Sequence, residues 1–240
     1  MQIAPSLHRA GNDLVAMYLI EDDRGVTVID TGLPGQWSDL NDELADMGRS
    51  LSDIRGVILT HGDSDHLGLA ERIRQETGVP IYIHEADAPQ ARGEVKKKNP
   101  SWGRVKIGPL LSFLWFAGRR GGLRFNPVSE VEILRGGETL DLPGDPHIIH
   151  TPGHSPGSIA ILSSAVDAIF VGDAMTTRHV LTGTDGPQPA PFTLDEDQAL
   201  GSLDGWSDTK ARWVLPGHGH PWDQGVEQAV SQVRARASAT

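Results

Sequence analysis

The segment Thr60–His66 constrains the fold most, because four side chains that can bind metal ions fall within six residues. It directly follows a short apolar run with the composition of a buried strand. The strand would present His61 at its end, and the loop would turn Asp63, Asp65 and His66 toward one point. Because one ion cannot easily use all four ligands of so short a loop, the pattern favours two adjacent ions. Imidazole together with carboxylate suits zinc first, with iron or manganese as alternatives.

A helix is predicted to begin near Asp65, because Leu67, Ala70 and Ile73 recur at helical spacing. Carboxylates are favourable at that end of a helix, where the free N–H groups and the helix dipole are positive. The alternative interpretation of the whole segment is a solvated polar turn that caps a helix.

Three later turns each place one further ligand type after a short apolar strand. His154 lies in a G-H-S-P-G turn, Asp173 follows the apolar run 168–171, and His218 lies in a P-G-H-G turn. A repeated strand-then-ligand pattern is typical of a site assembled at one edge of a sheet. These turns therefore favour the metal-binding interpretation over a simple polar cap.

Taken in order along the chain, these motifs resemble the metallo-β-lactamase superfamily, in the style of its glyoxalase II and acyl-homoserine lactonase branches. The resemblance rests on five motifs: Val28–Gly32, His61–His66, Thr151–Ser158, Gly172–Asp173 and Pro216–Gly219. It implies an α/β fold, the four-layer αββα sandwich, with a dinuclear centre at one sheet edge. It also implies a single domain over residues 1–240.

The resemblance further implies which side chains hold the two ions. The first ion would be bound by His61 and His154, and Asp173 would bridge the pair. The second ion would be bound by three residues: Asp65, His66 and His218. Asp30, at the end of an earlier strand, would orient the ligand loops rather than bind metal.

Asp63 departs from the usual family pattern, H-x-H-x-D-H, because it stands where the second histidine belongs. Flavodiiron proteins of the same fold have a glutamate there. Two divalent ions carry about +4, the usual two carboxylates leave about +2, and Asp63 would leave about +1. We therefore expect weaker Lewis acidity, a higher pKa of bound water and a preference for harder metals.

The leading functional hypothesis is a dinuclear metal-dependent hydrolase that uses a metal-bridging hydroxide on the carbonyl of a thioester or lactone. Asp65 or Asp173 would carry a proton to the leaving group. Phosphoesters and β-lactams are less expected substrates. Two alternatives remain open: a diiron redox protein of the same fold, which Asp63 favours, and a non-catalytic binding protein with a modified metal site.

Residues 89–127 interrupt the strand pattern and are interpreted as an inserted, partly helical lid. Between Arg92 and Arg124 the sequence has nine basic residues and one acidic residue, a net charge of +8, whereas the rest of the chain carries −19. The same segment is rich in aromatic and aliphatic side chains. It could pack on the body, line a pocket for an acyl, anionic small-molecule substrate, contact a membrane surface or form a homodimer face.

Composition excludes several other classes of protein. The chain has no cysteine, so disulfides, thiolate ligands and cysteine nucleophiles are ruled out. A net charge of −11 argues against nucleic-acid binding. The N-terminal residues lack the pattern of a signal peptide, and no apolar run reaches the length of a membrane span, so a cytoplasmic protein is expected.

The second half of the chain and one histidine of the first half give further local predictions. Residues 138–142 are predicted as a strand, and residues 175–192 as a long loop beside the site. Helices are predicted to follow a capping box at Thr193–Glu196 and a cap at Asp223. His84, at a strand end, is interpreted as a hydrogen-bonded surface residue.

Overall fold

The computed structural model describes residues 1–96, 102–206 and 208–239. Lys97 and Lys98, two of the nine basic residues between Arg92 and Arg124, lie outside the described residues. Within those ranges the chain forms two main sheets, one short hairpin and helices that cover the outer faces of both sheets.

The first sheet pairs its strands in chain order: β1 (Gln2–Ala4), β2 (Leu7–Gly11), β3 (Ala16–Asp22), β4 (Gly25–Ile29), β5 (Ile54–Ile58), β6 (Ile81–His84) and β7 (Glu132–Leu134). Strands β1 to β4 are antiparallel, whereas β4 to β7 are parallel. Because parallel strands end at the same edge, Asp30 after β4 and His61 after β5 meet there.

The second sheet has the order β13-β10-β9-β8: β8 (His147–His150), β9 (Ile159–Ser163), β10 (Ala168–Gly172) and β13 (Trp213–Pro216). Strands β10 and β13 are parallel neighbours, so Asp173 and His218 emerge at one edge. A separate hairpin follows β10 and consists of β11 (Thr176–Arg178) and β12 (Asp185–Gln188).

The α-helices of the described chain are α1 (Trp37–Asp46), α2 (Ala70–Thr77), α3 (Ala88–Ala91), α4 (Ile107–Arg119), α5 (Glu196–Ser202) and α6 (Val226–Ala237). Helices α1 and α2 bury their apolar stripes against the first sheet, and α6 buries its stripe against the second. None of these helices is long and apolar enough to cross a bilayer.

Alternation along the strands explains the four layers. On β3, Met17 and Leu19 face the helices, whereas Tyr18 and Ile20 face the other sheet. Between the sheets, the Tyr18 ring meets the Phe170 ring edge-on, with centroids 5.5 Å apart. The predicted αββα sandwich is confirmed.

Residues 89–127 connect β6 to β7, and α4 is their main element. The inner side of α4 packs through Phe116 against Val15 and Leu33. Arg120, just after the helix, pairs with Asp39 at 2.7 Å. The segment is thus attached to the body, as one of the four interpretations expects, and its role as a lid stays a prediction.

The predicted helix start near Asp65 was wrong, because α2 begins only at Ala70. The intervening backbone makes local turns, and it also forms hydrogen bonds with the loop after β4. Thr31 N–H donates to the His66 carbonyl at 2.6 Å, and Gly68 N–H donates to the Gly32 carbonyl at 2.8 Å. Tertiary hydrogen bonds therefore hold this stretch in turns that present the ligands.

Other local predictions also need correction. The predicted strand 138–142 contributes only an isolated bridge between Thr139 and His147. The predicted loop 175–192 contains the β11–β12 hairpin. The N-cap of α5 is Asp195, whose carboxylate accepts from Gln198 N–H at 2.9 Å, and α6 starts after Gly225 without a side-chain cap.

Candidate metal centre

The structure brings all seven predicted ligands to the shared edge of the two sheets. Their ligand atoms form three groups, within each of which the atoms lie within 4.8 Å of one another: His61, Asp63 and His154; Asp65, His66 and His218; His61, His66 and Asp173. Each of the first two groups combines two residues of the loop after β5 with one histidine from the second sheet. That arrangement offers two adjacent sites of mixed imidazole and carboxylate ligands.

Asp173 lies between the histidines of both groups. Its Oδ1 is 3.5 Å from His66 Nε2, and its Oδ2 is 3.2 Å from His218 Nε2 and 3.8 Å from His154 Nε2. Because Oδ2 lies near a histidine of each group, His218 in one and His154 in the other, the carboxylate has the position that a bridging ligand requires.

The two aspartates of the loop diverge. Asp63 Oδ2 lies 3.5 Å from His61 Nε2 and 3.3 Å from His154 Nε2. Asp65 Oδ2 lies 3.5 Å from His218 Nε2. The loop thus sends one carboxylate to each site, which is the division that the alternating sequence suggested.

Hydrogen bonds on the outer ring nitrogens fix how the histidines face the centre. His66 Nδ1 donates to Asp30 at 2.8 Å, His218 Nδ1 to the Leu14 carbonyl, and His61 Nδ1 contacts Thr60 Oγ1 at 3.0 Å. Because Thr60 Oγ1 already donates to Asp30, it accepts from His61. With Nδ1 held in these hydrogen bonds, Nε2 is the ring nitrogen that each histidine offers to a metal ion.

The donor set fits a divalent metal ion. His61 Nε2, His66 Nε2 and Asp173 Oδ1 are buried and have no hydrogen-bond partner among the described residues. Polar atoms buried in this way carry a desolvation cost of about 1–3 kcal/mol each. Their convergence on one point indicates that a cation completes the site, with ligand types suited to zinc, iron or manganese.

Asp30 positions this centre without entering it. Its carboxylate accepts from Thr60 N–H and from Thr60 Oγ1, each at 2.8 Å, in addition to His66 Nδ1. The residue itself has a φ of +55°, a left-handed conformation uncommon for residues other than glycine. The fully used carboxylate agrees with its interpretation as an orienting residue.

Asp87 was missed by the sequence analysis, although it joins the two ligand loops. Its buried carboxylate accepts from Gly62 N–H at 2.9 Å, Ser155 Oγ at 2.6 Å and Gly157 N–H at 2.8 Å. Those donors flank His61 and His154. The only sequence signal was an acidic residue shortly after a strand, which by itself is too common to interpret.

Gln90 was also missed, and it fixes the orientation of Asp63. Its Nε2 donates to Asp63 Oδ1 at 2.9 Å and to the Gly62 carbonyl at 2.8 Å. Because both partners are acceptors, the amide nitrogen must face them. One carboxylate oxygen is thereby occupied, and Oδ2 is the one turned toward His61 and His154.

Two glycines allow the loops to approach so closely. A Cβ on Gly217 would lie 2.3 Å from His66 Cε1, and a Cβ on Gly172 would lie 2.4 Å from Thr60 Oγ1. Neither distance is possible for a real side chain. The glycines in the G-D and P-G-H-G motifs are therefore required by packing against the centre.

The interpretation of His84 as a surface residue was wrong. His84 is buried, and its ring stacks on that of His150 with centroids 4.1 Å apart. Burial and the nearby His150 both lower the pKa of His84. This pair lies outside the three groups of potential ligands.

Burial and neighbouring carboxylates act in opposite directions on the histidines of the centre. Burial lowers the pKa of His66, but the charges of Asp30 and Asp173 outweigh it and raise that pKa to about 10. Asp173 likewise raises the pKa of His218 to about 9. The histidines in turn hold the pKa of Asp173 well below its usual range, against the effect of burial.

The stability of the metal-free protein should therefore fall in mildly alkaline solution. A histidine with a raised folded pKa contributes stability below its unfolded value of about 6.5, and the contribution is lost as pH rises through about 10. Denaturant unfolding of metal-free protein from pH 6.5 to 10 would measure this. Zinc-loaded protein should not show the fall, because the metal replaces the protons. Constant or rising stability of the metal-free protein would contradict the charge arrangement.

Gln90→Ala should weaken binding at the group formed by His61, Asp63 and His154. Loss of a residue that orients a ligand typically costs about 10–100-fold in metal affinity. Competition with a chromophoric chelator would measure the change, and Gln75→Ala, which removes an exposed amide bonded to Glu71, is the matched control. Equal affinity in both variants would show that Asp63 needs no such support.

A cavity of about 410 Å³ lies beside the ligand loops. Its wall includes Thr193, which contacts His154 Nδ1 at 3.3 Å, and Ala174, which follows Asp173. Trp102 and Phe192 meet edge-on in the wall with centroids 5.6 Å apart, and Arg104 adds a cationic group. The lining thus combines aromatic and aliphatic surface with two arginines, Arg104 and Arg236, and one carboxylate, Glu196.

Comparison with known proteins gives one consistent picture. The profile of the metallo-beta-lactamase superfamily matches residues 10–218. The chain is 26% identical to the probable metallo-hydrolase YflN of Bacillus subtilis, over 92% of this chain and 86% of that protein. It is 26% identical to the hydroxyacylglutathione hydrolase GloC of Haemophilus influenzae, over 65% and 63%.

A solved structure shows the same fold at low sequence identity. The metallo-beta-lactamase family protein TTHA1429 from Thermus thermophilus superposes with a TM-score of 0.71 at 23% identity, covering 99% of this chain and 81% of the other.

Proposed function

The chain belongs to the metallo-β-lactamase superfamily, and we propose that it is a dinuclear metal-dependent hydrolase acting on the carbonyl of an acyl thioester or a lactone. The observation that carries the proposal is the position of Asp173 between two groups of imidazole and carboxylate ligands, with buried nitrogens on His61 and His66 that have no hydrogen-bond partner in the described part of the chain. The proposed ligands are the seven predicted residues, His61, Asp63, Asp65, His66, His154, Asp173 and His218.

Bound divalent ions would polarise the substrate carbonyl and lower the pKa of water so that it can attack at neutral pH. The protein's own groups supply the proton transfers. Asp65 is better placed than Asp173 to exchange a proton with solvent, because its side chain is 20% exposed and that of Asp173 only 5%. We therefore propose that Asp65 delivers the proton to the leaving group and that Asp173 occupies the bridging position.

Helix α4 places an aromatic side chain against this centre. The Phe113 ring meets the His218 ring edge-on, with centroids 6.3 Å apart. An aromatic side chain against a ligand lowers the local polarity and strengthens electrostatic interactions with a developing negative charge. This arrangement supports attack on a carbonyl, whose oxygen gains charge in the transition state.

The neighbouring cavity supports an acyl substrate that carries a negative charge. Trp102 and Phe192 provide apolar surface, and burying each CH₂ of an acyl chain would contribute about 0.8 kcal/mol. Arg104 lines the same cavity and would attract an anionic group. The similarity to a hydroxyacylglutathione hydrolase supports a thioester in particular.

The test is a substrate panel on protein of measured metal content. Acyl glutathione thioesters, N-acyl homoserine lactones, a β-lactam and a phosphodiester would be compared, with acyl length varied in the first two series. We expect carbonyl substrates to be turned over, with kcat/KM rising with acyl length. Hydrolysis of the phosphodiester alone would overturn the proposal.

A diiron redox protein is the second candidate, because Asp63 adds a carboxylate to the site formed with His61 and His154. An additional carboxylate favours harder metals such as iron. Protein purified without added metal would then contain iron, show visible absorbance and react with oxygen. Colourless, zinc-containing protein with hydrolytic turnover would exclude this candidate.

A further inference from the structure

Helix α4 is apolar on both of its sides, which is unusual for a helix at the surface. Its inner side packs on the body through Phe113, Phe116 and Ala117. Its outer side exposes four large apolar side chains at helical spacing, with exposed fractions from 47% to 77%: Ile107, Leu111, Leu114 and Trp115. A helix that is hydrophobic all round is normally covered on every side.

The contrast with α6 makes the outer side of α4 significant. Helix α6 buries Val226, Val230 and Val233 but turns Glu227 and Arg234 to solvent, as an ordinary surface helix does. Beyond α4, Leu123 is 95% exposed and Phe125 is 43% exposed, so the apolar surface continues past the helix. We call Ile107, Leu111, Leu114, Trp115 and Leu123 the outer apolar face.

Positive charge surrounds the outer apolar face. Four exposed basic residues flank it, and within the described residues none of them forms an ion pair with a carboxylate: Arg104, Lys106, Arg119 and Arg124. The sequence has no acidic residue between Glu94 and Glu130. The Arg119 guanidinium lies over the Trp115 ring, 4.9 Å from its centroid, so charge and apolar surface are adjacent.

We propose that the outer apolar face docks α4 on an anionic lipid surface. Aliphatic and tryptophan side chains bordered by lysine and arginine are the composition of segments that lie in a membrane interface. Each basic residue near an anionic surface strengthens the attraction, and the acidic body is screened beyond about 10 Å. A twofold dimer through this face would instead bring two unpaired basic rims together.

Docking in this way would bring the cavity to the lipid surface. Lys106 N–H donates to the Leu181 carbonyl at 2.9 Å, so the start of α4 rests on the loop that links β11 to β12. Trp102 and Arg104, which precede the helix, line the cavity. An amphiphile in the bilayer would therefore reach the cavity without leaving the interface, although the docking itself does not depend on hydrolysis.

Co-sedimentation of the full chain with vesicles tests the proposal. Phosphatidylcholine vesicles with and without phosphatidylglycerol would be compared at low and high salt. We expect binding to the anionic vesicles that weakens with salt, and a blue shift of the fluorescence that is lost in Trp115→Phe. Leu111→Asp should reduce binding by about tenfold or more, and Arg119→Glu by about fivefold or more.

Matched controls make the same chemical changes elsewhere on the surface. Ile133→Asp alters an apolar residue that is 40% exposed on β7, and Arg135→Glu alters an exposed arginine paired with Glu85. Both should bind as the parent does, and circular dichroism would verify that every variant is folded. Equal binding to neutral vesicles with no effect of Arg119→Glu would overturn the proposal. A lack of binding to anionic vesicles would also overturn it. If sedimentation then showed a dimer that Leu111→Asp dissociates, the face would be a dimer interface instead.

Discussion

Asp173→Ala is expected to reduce the metal content from about two ions per chain to one or fewer and to abolish most hydrolysis. The carboxylate faces both ligand groups, since its Oδ2 lies 3.2 Å from His218 Nε2 in one group and 3.8 Å from His154 Nε2 in the other. Loss of a residue that only orients a ligand lowers metal affinity or activity about 10–100-fold. Loss of the shared carboxylate itself should therefore lower turnover more than about 100-fold. Elemental analysis and steady-state kinetics on the same preparation would measure both effects.

Asp173→Asn serves as the control for shape, because it keeps the side-chain volume and removes only the charge. It should fold as the parent does and lose metal nearly as completely as Asp173→Ala. A variant that retained one tightly bound ion and unchanged turnover would rule out the dinuclear mechanism.

Asp63→His is expected to strengthen zinc binding, whereas Asp173→Ala weakens it. An imidazole at this position restores the pattern usual in the superfamily and suits zinc better than a carboxylate does. We expect zinc at the site of His61 and His154 to bind about tenfold tighter or more, with manganese bound more weakly. Chelator competition with both metals would measure the change in preference.

The Gln90 amide provides a check on this result. In Asp63→His it loses its carboxylate acceptor but keeps the Gly62 carbonyl, so the loop backbone should remain in place. If Asp63→His lost metal and activity together, Asp63 would be a ligand adjusted to a harder metal, and the diiron candidate would gain support.

The sequence indicated which seven residues meet at the sheet edge, because their positions depend on strand ends, and strand ends are visible as apolar runs that stop at glycine or proline. It could not predict Asp87 or Gln90, because their partners are decided by how the chain returns across the sheet. Asp87 contacts Ser155, 68 residues away, and Gln90 contacts Asp63, 27 residues away. No local pattern carries that information.

The difference between local patterns and long-range contacts also explains why some predicted elements were wrong. Helix α2 begins late because Gly68 bonds to Gly32, a residue from a different loop. The β11–β12 hairpin lacks apolar alternation, and its strands pair on short registers such as Thr176 with Gln188. Periodicity detects elements that bury one face, and it fails where backbone hydrogen bonds to distant residues decide the conformation.

Each ligand group takes members from both sheets, and this has a mechanical consequence. His61 and Asp63 extend from the first sheet and His154 from the second, while Asp65 and His66 are joined by His218 in the same way. A bound ion would therefore cross-link the two sheets of the sandwich. Separating the two sheets would require breaking coordination bonds first, so metal loading should raise the force or temperature at which they separate. Removing the metal with a chelator should destabilise the whole molecule rather than one loop.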